Sequence, residues 1–127
     1  MPKTMRLLIV DDSNMIRTRI SKVVQDGGLG KIALVGLARN GVEALRIAQA
    51  TQPDVVTMDL TMPEMDGVEC IRQMLRLLPA TRILVVSALN DRATAITALT
   101  LGARGFVAKP FTDDALRLAL LNLMEPD

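Results

Sequence analysis

Five short apolar runs recur along the chain, and each is followed by a segment whose apolar residues repeat at helical spacing. The runs are Arg6–Val10, Ile32–Ala38, Val55–Met58, Ile83–Val86 and Gly105–Ala108. Short continuous apolar runs rich in β-branched residues read as strands covered on both faces. Strands alternating with helices over short links call for parallel pairing, because a parallel connection needs a crossover and a helix supplies it. The expected fold is therefore α/β, a doubly wound five-stranded parallel sheet. Residues 1–127 are expected to form a single domain, with no linker, internal repeat or low-complexity segment between its parts.

The helices have local signals. Ser13 or Asn14 can cap the first, in which Ile16, Ile20, Val23 and Val24 share a face before Gly27-Gly28 ends it. Val42, Ala44, Leu45, Ile47 and Ala48 make the second, closed near Gln52-Pro53. The third begins around Gly67, with Val68, Ile71, Leu75 and Leu78 as its buried stripe. Residues 91 to 101 suggest a fourth helix, weakened by Thr94, Thr97 and Thr100 and ended by Gly102. The last runs from about Thr112 to Met124. Its Leu116, Ala119, Leu120 and Leu123 form a core face, and Leu118 and Leu121 project away from it.

The strands end in polar groups. Asp11-Asp12 follow the first, Asp59 the third, Ser87 the fourth and Lys109 the fifth. All carboxyl ends of a parallel sheet lie along one edge, where α/β folds place their ligands. An acid after a strand is by itself an ordinary turn residue; the coincidence of all four strand ends is what argues for a site. Two carboxylates about 4 Å apart repel by about 4 kcal/mol at an effective dielectric near 20, and one lysine does not offset three acids. A bound cation is implied. Oxygen donors without His or Cys select a hard ion, and few protein ligands suit Mg²⁺ better than Ca²⁺. A divalent ion beside an aspartate, a hydroxyl and a lysine is the equipment of phosphoryl transfer.

Composition narrows the remaining classes. The sequence has no His and a single Cys, Cys70, so a histidine base and an internal disulfide are excluded, thiol or zinc chemistry is not expected, and Cys70 is expected to be a packing residue. Fifteen basic and fourteen acidic side chains leave a net charge of +1, which supplies no footprint for nucleic acid and no polybasic membrane signal. No apolar run is long enough for a membrane span, and no signal-peptide core precedes the first strand, so a cytoplasmic location is expected.

Together, Asp11-Asp12, Met58-Asp59-Leu60-Thr61-Met62-Pro63 with Met65-Asp66-Gly67, Val86-Ser87-Ala88 and Phe106-Val107-Ala108-Lys109-Pro110-Phe111 resemble the receiver domains of two-component response regulators. The resemblance covers essentially the whole chain and is strongest to the stand-alone chemotaxis type. It implies a flavodoxin-like sheet of strand order 2-1-3-4-5. It also implies that Asp59 accepts phosphate from a phosphohistidine on a sensor kinase or phosphotransfer protein. Asp12, Asp59 and the main-chain carbonyl of Thr61 would hold Mg²⁺, with Asp11 acting largely through water. Ser87 and Lys109 would bind the phosphoryl oxygens, Ala88 would leave access, and the Lys109-Pro110 bond would be cis. Ser87 and Phe106 would switch, Phe106 standing where many relatives have Tyr; alternatively Phe106 is a simple core residue. The face bearing Phe106, Leu118 and Leu121 would meet a downstream protein. Because Ala103-Arg104-Gly105-Phe106 lacks the acidic pair of relatives that dimerise there, that dimer is not expected. Thr61 and Leu89 flank the approach of hydrolytic water, and Leu89 is expected to prolong the phosphorylated state.

The chain is thus expected to catalyse nothing beyond its own phosphorylation and dephosphorylation. Three alternatives stand beside this reading. An aspartate-nucleophile phosphatase of the haloacid dehalogenase type would need Asp-x-Asp-x-Thr after the first strand, where Asp11-Asp12-Ser13 stands. A degenerate receiver would lack Asp59 or Lys109. The chain could also be cut from a larger regulator.

Overall fold

The computed structural model describes residues 3–126, with the backbone but not the side chain of Leu89. Its elements run β1 (Met5–Val10), α1 (Asn14–Gln25), β2 (Ile32–Ala38), α2 (Gly41–Thr51), β3 (Val55–Met58), α3 (Gly67–Leu77), β4 (Arg82–Ala88), a 3-10 turn at Leu89–Asp91, α4 (Arg92–Leu101), β5 (Gly105–Lys109) and α5 (Asp113–Met124). The strands form one sheet in the order β2-β1-β3-β4-β5, every pair parallel. This is the expected doubly wound order.

The sheet divides the apolar residues into two half-cores, and the period-two alternation of side chains does the sorting. Leu8, Val10, Val56, Met58, Ile83 and Val85 pack beneath α2, α3 and α4. Their immediate neighbours Leu7, Ile9, Val55, Leu84 and Val86 pack on the other face beneath α1 and α5. Central strands consequently have no polar face, which is why they read as unbroken apolar runs. β2 lies at the sheet edge, and its Leu37 is exposed.

Local chemistry starts and stops the helices. Ser13, Asn40, Asp66 and Thr112 each accept a hydrogen bond from the backbone N–H three residues on, at Ile16, Glu43, Glu69 and Ala115. α2 ends in Gln52 with φ 49, and α4 ends at Gly102 with φ 126. Arg19 of α1 bonds the Phe111 carbonyl at 2.6 Å and lies 4.5 Å over its ring, tying α1 to the link between β5 and α5.

Three details differ from the sequence expectation. Val42 is exposed, because Gly41, Ala44, Leu45 and Ala48 turn the buried face of α2 away from it. The centre of the α3 stripe is Cys70, Ile71 and Met74, with Val68, Leu75 and Leu78 half-buried beside it. Asp91 ends a 3-10 turn and α4 begins only at Arg92. Cys70 is fully buried, and burial, with Asp66 and Glu69 nearby, pushes its thiol up to about 12. It is the packing residue expected.

Candidate functional site

The carboxyl ends of β1, β3, β4 and β5 meet where the chain reverses its winding direction, between β1 and β3. Asp11 is 1% exposed. One of its carboxylate oxygens accepts from the Ser13 N–H at 2.9 Å and the other from Lys109 Nζ at 2.8 Å. Its carbonyl accepts from Arg17 Nη1 at 2.6 Å. Arg17 is itself buried on α1, a charged residue on a face that sequence periodicity assigned to apolar packing. The Asp11 carbonyl explains it, and only the fold brings that partner within reach.

Asp59 follows β3 and is 4% exposed. Its Oδ1 accepts from the Thr61 N–H at 3.3 Å and lies 3.6 Å from Lys109 Nζ. Its own N–H donates to the Val10 carbonyl at 2.9 Å, which fixes the height of the acid relative to β1. Close packing from the far side requires Gly67. A Cβ there would stand 2.2 Å from the Asp59 carbonyl oxygen and 2.7 Å from Leu60 Cα. Asp12 is exposed at the mouth of the site.

Asp11, Asp12 and Asp59 each bring a carboxylate oxygen within 4.8 Å of the others. Lys109 alone does not balance them. Burial, then the charge of Asp11, push the Asp59 carboxyl up to about 7 against the opposing pull of Lys109. A carboxylate trio that holds a proton so firmly fits a hard divalent cation, whose charge would take the proton's place.

Ser87 is buried at the end of β4, and its hydroxyl donates to Asp91 Oδ2 at 3.2 Å. The same oxygen accepts from Thr61 Oγ1 at 3.2 Å. Ala88 lies beside them. Asp12, Asp59, Thr61, Ser87, Ala88 and Lys109 line one cleft of about 390 Å³ together with Asn90 and Asp91. Every sequence-predicted residue of the phosphoryl and metal sets thus lies at this edge, Asp11 beneath it through Lys109. Asn90 and Asp91 were not foreseen; their one signal is that they continue the loop opened by Ser87. The expectation for Leu89 concerns a side chain outside the described residues, whereas the Thr61 hydroxyl is engaged by Asp91. The Lys109-Pro110 bond is cis, as the resemblance implies.

Phe106 lies away from the cleft on β5, half-buried against the half-core beneath α2, α3 and α4. It lines a groove of about 500 Å³ with Ala115, Leu118 and Ala119. On its other side, a groove of about 410 Å³ is bounded by Arg92, Ile96 and Leu99. Leu118 and Leu121 are exposed, as are Ile96 and Leu99.

A family model described as the response regulator receiver domain matches residues 7–121. The chain belongs to the response-regulator receiver family. The receiver is 38% identical over 116 residues to the chemotaxis protein CheY of Listeria monocytogenes, covering 91% of this chain and 95% of that one. It is 39% identical over 106 residues to CheY of Thermotoga maritima, covering 84% and 86%. A protein-glutamate methylesterase/protein-glutamine glutaminase of Halobacterium salinarum matches at 47% over 105 residues, 81% of this chain but 29% of that protein. Among solved structures, CheY in the CheX-CheY-BeF3-Mg²⁺ complex from Borrelia burgdorferi superposes with TM-score 0.88 at 25% identity, covering 96% of this receiver and 90% of that chain. These likenesses do not favour the phosphatase alternative. Among the described residues of the receiver, no helix is long and apolar enough to cross a membrane.

Proposed function

We propose that the receiver takes a phosphoryl group onto Asp59 from a phosphohistidine of a sensor kinase or phosphotransfer protein. The observation that carries this reading is the setting of Asp59, a buried carboxylate at the end of a central strand with Lys109 Nζ 3.6 Å away and the cleft in front. An Asp59 oxygen attacks phosphorus in line, the new P–O bond forming as the P–N bond breaks and the imidazole leaves with the bonding pair. Lys109 and the Ser87 hydroxyl hold the phosphoryl oxygens, and Ala88 adds no bulk at the mouth. Asp12, Asp59 and the main-chain carbonyl of Thr61 would hold Mg²⁺, with Asp11 orienting bound water from beneath. When bound, Mg²⁺ neutralises the three carboxylates and the incoming phosphoryl oxygens. The CheX-CheY-BeF3-Mg²⁺ complex of the Borrelia burgdorferi relative supports carrying that ion and a phosphoryl-like ligand to this chain.

The signal then passes to the face of α4, β5 and α5, where Phe106 sits between two apolar grooves and Leu118 and Leu121 are exposed. A downstream protein is the proposed partner there. In this reading the chain catalyses only the gain and loss of its own phosphoryl group. The test is incubation with a small phosphodonor and Mg²⁺, followed by intact mass. One phosphoryl group is expected on the wild type and none on Asp59→Asn; equal labelling of the variant would remove Asp59 from the role.

A further inference from the structure

The carboxylate of Asp91 stands where the phosphoryl chemistry needs a free hydroxyl. A single oxygen, Oδ2, accepts from Ser87 Oγ and from Thr61 Oγ1, each at 3.2 Å. A hydroxyl has one proton to donate, so Ser87 cannot serve Asp91 and a phosphoryl oxygen together. Asp91 also occupies the residue position before the first turn of α4, where an acid ordinarily accepts from the N–H three residues on. At α1, α2, α3 and α5 the residue in that position does so from an extended backbone. At α4 the backbone of Asp91 has φ −95 and ψ 30, and its side chain makes no such bond. The capping carboxylate of α4 is thus spent on the cleft.

We propose that Asp91 is a positioning residue of the phosphoryl site, holding the Ser87 hydroxyl until a phosphoryl group takes it and then turning to cap α4 at the Thr94 N–H. The inference rests on the Asp59 reading and adds to it a resident anion that opposes phosphorylation. It also supplies a direct link from the cleft to the start of α4, the helix that carries Ile96 and Leu99 to the exposed face. Charge acts in the same direction as competition, since a carboxylate beside an arriving dianion repels it. The two effects are separable because only competition passes through Ser87.

Beryllofluoride with Mg²⁺ serves as the phosphoryl probe, its binding followed by fluorine NMR. Asp91→Ala is expected to bind it about tenfold more tightly than wild type, the size of one hydrogen bond to a charged group. In a Ser87→Ala background the gain should fall below about twofold. An unchanged affinity in Asp91→Ala, or an equal gain in the Ser87→Ala background, overturns the competition. Hydrogen exchange supplies the second readout. Saturating beryllofluoride should slow exchange of the Thr94 amide in wild type and leave it unaffected in Asp91→Ala. No change at Thr94 in wild type overturns the capping role. Thermal unfolding establishes that each variant is folded. Failure of the wild type itself to bind the probe would instead defeat the Asp59 reading, and this inference with it.

Discussion

Asp59 is a carboxylate placed where its charge is costly, and a proton or a cation has to offset it. The ordinary value of such a group is 3.8, and burial with Asp11 beside it lifts the folded value to about 7. Between those two values the folded chain keeps a proton that the unfolded chain has already released. Stability conferred by that proton is complete below about pH 4, is lost as pH rises toward 7, and changes no further above it. In a chelator, Asp59→Asn should therefore be more stable than wild type at about pH 8 in denaturant unfolding, and the margin should shrink toward about pH 4. Adding Mg²⁺ should close the margin at the higher pH by stabilising the wild type alone. A margin independent of both pH and Mg²⁺ would show that Asp59 does not carry the strain. Asp59, Lys109 and Ser87 were legible in the sequence because each directly ends a strand. The raised proton affinity was not legible, since it depends on how close Asp11 comes and how little water reaches the pair.

The junction between β3 and α3 sets the position of Asp59. α3 begins against the backbone that follows β3, with the Gly67 N–H donating to the Leu60 carbonyl at 3.0 Å. Because the atoms facing Gly67 are backbone, a methyl group there has nowhere to go. Gly67→Ala should cost about 1–3 kcal/mol in denaturant unfolding, the range for overpacking. A shift of Asp59 by about 1 Å would slow labelling by a small phosphodonor about a hundredfold. Normal stability with normal labelling would mean that the junction adapts freely. α4 is the contrasting element, with only Ala95 and Ala98 buried and Thr97 and Thr100 turned back onto the carbonyls four residues earlier. The sequence correctly marked it as weak through its threonines. It read Asp91 as the helix start, whereas the side chain accepts from the hydroxyls of Ser87 at the end of β4 and of Thr61 in the loop after β3.

At the scale of the molecule, the sheet separates two half-cores that share backbone and little else. Ile71 belongs to one and Ile20 to the other, both fully buried. Ile71→Val and Ile20→Val should each cost about 0.5–1.5 kcal/mol, the loss of one buried methylene and the small void it leaves. Measured together by chemical denaturation, the two costs should add within about 0.5 kcal/mol, because no side-chain contact joins them. A larger deviation would mean that strain crosses the sheet. The whole architecture, with its parallel order and its site between β1 and β3, places Asp11 and Lys109 2.8 Å apart although nearly the full chain lies between them.

The sequence by itself determined the elements and the edge on which chemistry gathers. Strand runs, helical spacing and caps act over a few residues, and a parallel sheet puts every strand's carboxyl end on one side. Tertiary structure decided what those local rules leave open. It chose Cys70 and Met74 over Leu75 and Leu78 for the deepest packing of α3, and it left Val42 in solvent. It buried Arg17 against the Asp11 carbonyl and drew Asp91 across to Thr61, thirty residues away in the chain. These outcomes depend on distances between elements, and distance between elements is set only when the two half-cores close on the sheet.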